Sequence, residues 1–218
     1  IPNGIDMEQF DPKVDSSLIE KQLGLDPQDL KIVYVSRLMG ARGEIALRLI
    51  EALPEIEKAF PTVRLIVVGD GDKYNEISRL AERYNSKANC NKVIVTGARI
   101  DTHLLMNIAD VSVGVGRVAL EAMSMEKPVI IAGEAGFMGI LSPENFEVAK
   151  MHNFSGRGSE MKSNAANLAD AIKELLTDST RRKILGAFGR EEVRRYFSIE
   201  KMTDEILKVY DQVIEEDK

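Results

Sequence analysis

From Lys31 onward the chain carries five short runs rich in β-branched residues, "KIVYVS", "TVRLIVVGD", "KVIVTG", "ADVSVGV" and "PVIIAG", with helical patterns between most of them. These runs are apolar at nearly every position instead of alternating with polar residues. A strand of that kind has no face to offer to water, so it belongs in a sheet covered on both sides. Strands that alternate with helices along the chain form a parallel sheet, because each return to the same edge needs a crossover. The prediction is therefore an α/β fold with a parallel sheet and helices on both of its faces.

The helical segments support this reading. Ile45, Leu49, Ala52 and Ile56 recur at three- and four-residue intervals, which is the spacing of one buried helix face. Pro54 within that segment predicts a bend or an interruption. Three further helices are predicted to close the chain, over about Ser163–Leu176, Ser179–Tyr196 and Ser198–Glu215, the last behind Ser198 as N-cap with Ile199, Met202, Ile206, Val209 and Val213 on one face. A hydrophobic content of 44% over 218 residues suits one sizeable domain, assigned to residues 31–218. Residues 1–30, opening "IPNGIDMEQFDP", have two prolines in that stretch, an Asn-Gly turn signal and no sustained period, and read as a linker and lead-in. The architecture is a Rossmann-like layer sandwich, in which ligands bind beyond the carboxyl ends of the strands.

Composition narrows the partners. A net charge of −6 supplies no global attraction to phosphate backbones, so nucleic acid is not expected. There is one cysteine, Cys90, which cannot form an internal disulfide, and there is neither a membrane-length apolar run nor a charged-then-apolar leader. These features give the expectation of a cytoplasmic protein. The chain starts at Ile1 instead of Met, which is read as a fragment of something longer. His103 and His152 lack ligand-spaced partners, so no metal is expected. The arginines and lysine between Arg181 and Arg195 read as a solvated helix face.

The strand ends carry the candidate chemistry. Arg37 and Arg42 flank the turn after the first run, where two guanidinium forks can converge on one anion. Gly69 lies in "VVGDGD" after the second run, a turn that permits close approach of a ligand. Gly97, Ala98 and Arg99 follow the third. After the fourth, "GVGRVALEAM" starts a helix at Gly116, whose first free N–H groups and dipole attract a phosphate. Glu121, on the same helix, is a candidate acceptor for a pair of ribose hydroxyls. Two nucleotide readings remain open here. Gly114-Val115-Gly116-Arg117-Val118-Ala119 also fits a dinucleotide fingerprint, with Glu134, 18 residues beyond Gly116, as its ribose-binding acid. That fingerprint normally belongs to the first βαβ unit of its domain, whereas three strand-helix units precede it here.

Several of these stretches, in order, resemble the C-terminal, donor-binding domain of family 4 (group 1) GT-B glycosyltransferases: "IPNGIDMEQFDP", "SRLMGARG", "LIVVGDGD", "VIVTGARID" and "GRVALEAMSMEKPVI". The resemblance implies transfer of a sugar from a nucleoside diphosphate-sugar to a hydroxyl acceptor with retention of configuration and without a metal or other cofactor. It implies that Arg37 and Arg42 bind the donor diphosphate and act catalytically on its growing charge, that the amides of Arg117 and Val118 at the Gly116 turn meet the diphosphate, and that Glu121 binds the ribose. The base would lie beside Gly97, Ala98 and Arg99. Gly136, Gly139 and Ile140 would offer N–H groups to the sugar or phosphate, while Arg157 in "SGRG" is read as part of a structural loop. Expected partners are the nucleoside diphosphate-sugar, an N-terminal acceptor domain outside this chain and, for the full-length protein, the inner face of a membrane. One departure stands out. The family pattern places a first glutamate eight positions before the second, and that position is Val113. A sugar-nucleotide-binding module without catalysis, a nucleotide-sugar epimerase and an NAD-dependent oxidoreductase are the alternatives.

Overall fold

The computed structural model describes residues 1–216; the last two residues of the 31–218 domain lie outside them. In chain order the elements are α1 (Ser17–Gln22), β1 (Leu30–Val35), α2 (Gly40–Glu57), β2 (Val63–Val68), α3 (Tyr74–Ala88), β3 (Val93–Val95), α4 (Thr102–Asn107), β4 (Val111–Gly114), α5 (Arg117–Ser124), β5 (Val129–Gly133), β6 (Gly136–Ile140), α6 (Phe146–Met151), α7 (Ala165–Thr177), α8 (Ser179–Tyr196) and α9 (Ile199–Glu216). The strands form one sheet in the order β3-β2-β1-β4-β5-β6. β1 to β5 are parallel, as the apolar runs predict, and β6 returns antiparallel to β5.

Alternation along the strands explains why they are apolar throughout. Ile32 and Tyr34 of β1 belong to the core under α2, α3 and α7. Val33, between them, packs in the opposite core with Ile19 and Leu105. Beyond β4 the second face is completed by α5 and α6, where Phe154, fully buried, meets the rings of Phe146 and Phe197.

Three expectations change. Pro54 does not interrupt α2, which runs continuously to Glu57. Pro54 itself is exposed, so its ring does not disturb the buried face of the helix. Residues 1–30 contain α1 and pack into the domain. Ile5 is fully buried and exchanges backbone hydrogen bonds with Phe197 and Ile199, at 2.7 and 3.0 Å. Phe10 is also buried, and its carbonyl accepts from Ser124 Oγ at 2.9 Å. The third change is a sixth strand, β6, which contains Gly136, Gly139 and Ile140, the residues expected to offer N–H groups to the sugar or phosphate. Its register pairs Gly133 with Gly136 and Ile130 with Ile140.

Candidate functional site

The strand order places β1 beside β4, the two strands from which the crossovers diverge toward opposite edges. Crevices in open α/β sheets form at such a switch point, beyond the carboxyl ends. Two adjoining cavities lie there. One, of about 360 Å³, is lined by the ends of β1 and β4, by Arg37 and Arg42, by Gly116, Arg117 and Val118, and by Asn153 and Ser155. The other, of about 590 Å³, shares Tyr34, Arg42, Val115 and Ser155 and extends over the end of β5 to Glu134, Ala135 and Arg157.

The turn that carries the two arginines is built from both its neighbours. Tyr34 Oη donates to the Arg42 carbonyl at 2.8 Å, and burial pushes the Tyr34 hydroxyl up to about 12, so it stays a donor. From the other side, the β2–α3 turn clasps it: Leu38 N–H donates to Asp70 O at 2.9 Å, Lys73 N–H to Leu38 O at 2.9 Å and Gly40 N–H to Asp72 Oδ1 at 3.1 Å. Gly69 therefore has a structural place and lines neither cavity. Its N–H donates to Gly97 O at 2.9 Å, and a Cβ at its φ of +140° would stand 1.8 Å from Ser36 O. The close approach predicted for a ligand is made instead by the chain itself.

At the start of α5, Gly116 turns the chain with φ +58°, and no side chain caps the helix. The Gly116 N–H is already given to Phe154 O at 3.0 Å, whereas the Leu120 N–H is the first to donate back along the helix, to Gly116 O at 3.3 Å. Of the predicted anion donors, the amides of Arg117 and Val118 thus remain for a ligand, and that of Gly116 does not. Glu121, about one turn beyond Arg117, lines neither cavity and is largely buried. Burial raises its carboxyl above the ordinary range, opposed by Arg117, whose Nε lies 2.8 Å from Glu121 Oε1.

A raised folded-state value means that this carboxyl contributes its stability when protonated, below its unfolded value, and that the contribution is lost as pH rises through the folded value. Glu121→Gln is therefore expected to gain in urea midpoint relative to the parent as pH is raised from about 4 to 7. A midpoint difference that is constant over that range, in parallel urea titrations, would contradict the burial argument.

The remaining predicted residues disperse. Arg99 is held by Asp101 through two contacts, of 2.8 and 2.6 Å, and neither it nor Gly97 and Ala98 line the cavities. Interstrand spacing puts the end of β3 on the order of 14 Å from β4, within the span of an extended nucleotide but outside the crevice. Gly139 and Ile140, expected beside the sugar or phosphate, lie away from both cavities. β6 carries them back toward the start of β5, where they line a separate groove with Asn167 and Arg181. Gly136 is buried at the hairpin, its carbonyl accepting from Ser163 Oγ at 3.0 Å. Conversely, Arg157 and Glu134 enter the cavity wall, although "SGRG" reads as a structural loop and Glu134 as the ribose-binding acid of a dinucleotide site. Among the described residues, no group of three or more His, Cys, Asp or Glu side chains is placed to hold a metal.

This sheet with its flanking helices is the Rossmann-like half of a GT-B glycosyltransferase fold. Residues 15–192 match the glycosyl transferases group 1 family, and the chain belongs to that family. It is 28% identical, over 96% of its length and 55% of the relative's, to the GDP-mannose-dependent monoacylated alpha-(1-6)-phosphatidylinositol monomannoside mannosyltransferase of Corynebacterium glutamicum. Among solved structures, Anabaena HepE in complex with UDP and glucose shares the fold, with a TM-score of 0.71 at 22% identity over 96% of this chain and 55% of that one. The C-terminal domain of the group 1 protein LpcC from Francisella tularensis is matched over its whole length and 90% of this chain, with a TM-score of 0.64 at 20% identity. The chain spans about half the length of the curated relatives it matches. Among the described residues no helix is long and apolar enough to cross a membrane.

Proposed function

We propose that this chain is the donor-binding half of a retaining glycosyltransferase that moves a sugar from a nucleoside diphosphate-sugar to a hydroxyl acceptor. The observation that carries the reading is the crevice between β1 and β4, where Arg37 and Arg42 face the uncapped start of α5 across one cavity. Guanidinium forks and oriented amides hold a diphosphate, and their attraction increases as the sugar departs and negative charge builds on the leaving group. Such compensation needs no metal, and the proposal assigns none. Glu121 would accept the ribose hydroxyls once Arg117 turns from it to the phosphates. The acceptor would be held by an N-terminal domain beyond this chain, in a cytoplasmic protein that works at the inner face of a membrane. The names of the similar proteins support the donor class: the Corynebacterium relative uses GDP-mannose, and the Anabaena structure holds UDP and glucose.

A second reading, a sugar-nucleotide-binding module without catalysis, is favoured by Val113, which is only 1% exposed within β4 where the family pattern has an acid. Sugar transfer by the full-length protein separates the two. The donor site itself is tested by calorimetric titration of this chain with UDP, GDP, ADP and NAD. One nucleoside diphosphate is expected to bind in preference to the other three ligands; selective binding of NAD, or no binding, would overturn the proposal.

A further inference from the structure

Glu134 is the only carboxylate among the residues that line the two adjoining cavities. It is exposed, directly follows β5, and makes no ion pair or side-chain hydrogen bond among the described residues, although Arg42 and Arg157 line the same wall. Its position is firmly set. Ser163 Oγ lies 2.9 Å from the Gly133 carbonyl and 3.0 Å from that of Gly136, so one buried hydroxyl bridges both ends of the two-residue turn that contains Glu134. Behind that turn, Gly136 and Gly156 meet backbone to backbone. A Cβ on Gly136 would stand 2.5 Å from Gly156 O, and one on Gly156 would stand 2.3 Å from Gly136 O. The same clasp brings Arg157 to the cavity.

We infer that Glu134 accepts hydrogen bonds from the hydroxyls of the transferred sugar. The inference rests on the donor-site reading above. With the diphosphate between Arg37, Arg42 and the start of α5, the larger cavity is the space into which the sugar continues. An unpaired carboxylate there accepts from two adjacent hydroxyls. No other acid reaches the space among the described residues, since Val113 is buried in β4 and Glu121 is bound to Arg117 outside the lining.

The test is calorimetric titration of this chain and its Glu134→Ala variant with UDP and UDP-glucose, GDP and GDP-mannose, and ADP and ADP-glucose. The parent is expected to bind one sugar nucleotide more tightly than the corresponding nucleoside diphosphate. Glu134→Ala should lower the sugar-nucleotide affinity about 10-fold or more, the loss expected for hydrogen bonds to a charged group, and leave the nucleoside diphosphate unchanged. If the parent binds nucleoside diphosphate but the variant keeps the preference for the sugar form, or the parent has no such preference, this inference falls and the donor site stands. Absence of nucleotide binding by the parent would overturn both.

Discussion

Arg42→Ala is expected to weaken nucleoside-diphosphate binding about 10- to 100-fold, and Arg37→Ala by a similar factor, because each removes charge-assisted hydrogen bonds to a phosphate. Arg42 lines both cavities and Arg37 one of them, and both side chains are exposed. Neither variant should lose more than about 0.5 kcal/mol of stability, since exposed side chains away from packing contribute little to folding. The Tyr34 hydroxyl bonds to the backbone carbonyl of residue 42, so the turn keeps its geometry after truncation. Titration beside urea denaturation checks both halves of the prediction. Unchanged affinity in either variant would remove that arginine from the phosphate site. A large drop in the urea midpoint would mean that it supports the turn.

Gly69→Ala should have the reverse profile, a loss of about 3–5 kcal/mol in folding stability whatever the ligand. Its φ of +140° disfavours any side chain, and the added Cβ would overlap the Ser36 carbonyl at 1.8 Å, where only backbone movement can relieve the contact. The movement would part the ends of β1 and β2, which are joined by Ser36 N–H to Val68 O at 2.9 Å, and would displace Arg37 with them. A variant that unfolds within about 1 kcal/mol of the parent, yet binds nucleotide poorly, would return Gly69 to the ligand site. These two predictions separate residues that touch phosphate from residues that shape the turn beneath it, a distinction that a Gly-rich or Arg-rich motif alone does not make.

Much of the crevice was legible before any coordinates. Arg37, Arg42, Arg117 and Val118 lie where strand-to-helix turns put them, because a parallel sheet delivers all such turns to one edge. That Gly139 and Ile140 lie on a strand is hidden for a local reason. "GFMGI" carries two glycines and no β-branched residue before Ile140, so it lacks the composition of a strand. The pairing of Arg99 with Asp101 is hidden too, because an ion pair with a residue two positions on is invisible to periodicity. The integration of residues 1–30 was hidden similarly: Ile5 and Phe10 are isolated apolar residues in an irregular segment, and their partners are Phe197, Ser198 and Ser124, far along the chain.

The amino-acid sequence by itself determined the parallel sheet, the helices on its two faces and the anion-attracting start of α5, since each follows from repeats and turn residues within a few positions of one another. Tertiary structure alone decided that Gly69 supports Ser36, that Gly136 meets Gly156, and that Glu134 and Arg157 share a wall with Arg42. Those outcomes depend on close approach between segments remote along the chain. Such contacts have no period to betray them, and their geometry exists only once the sheet has brought the segments together.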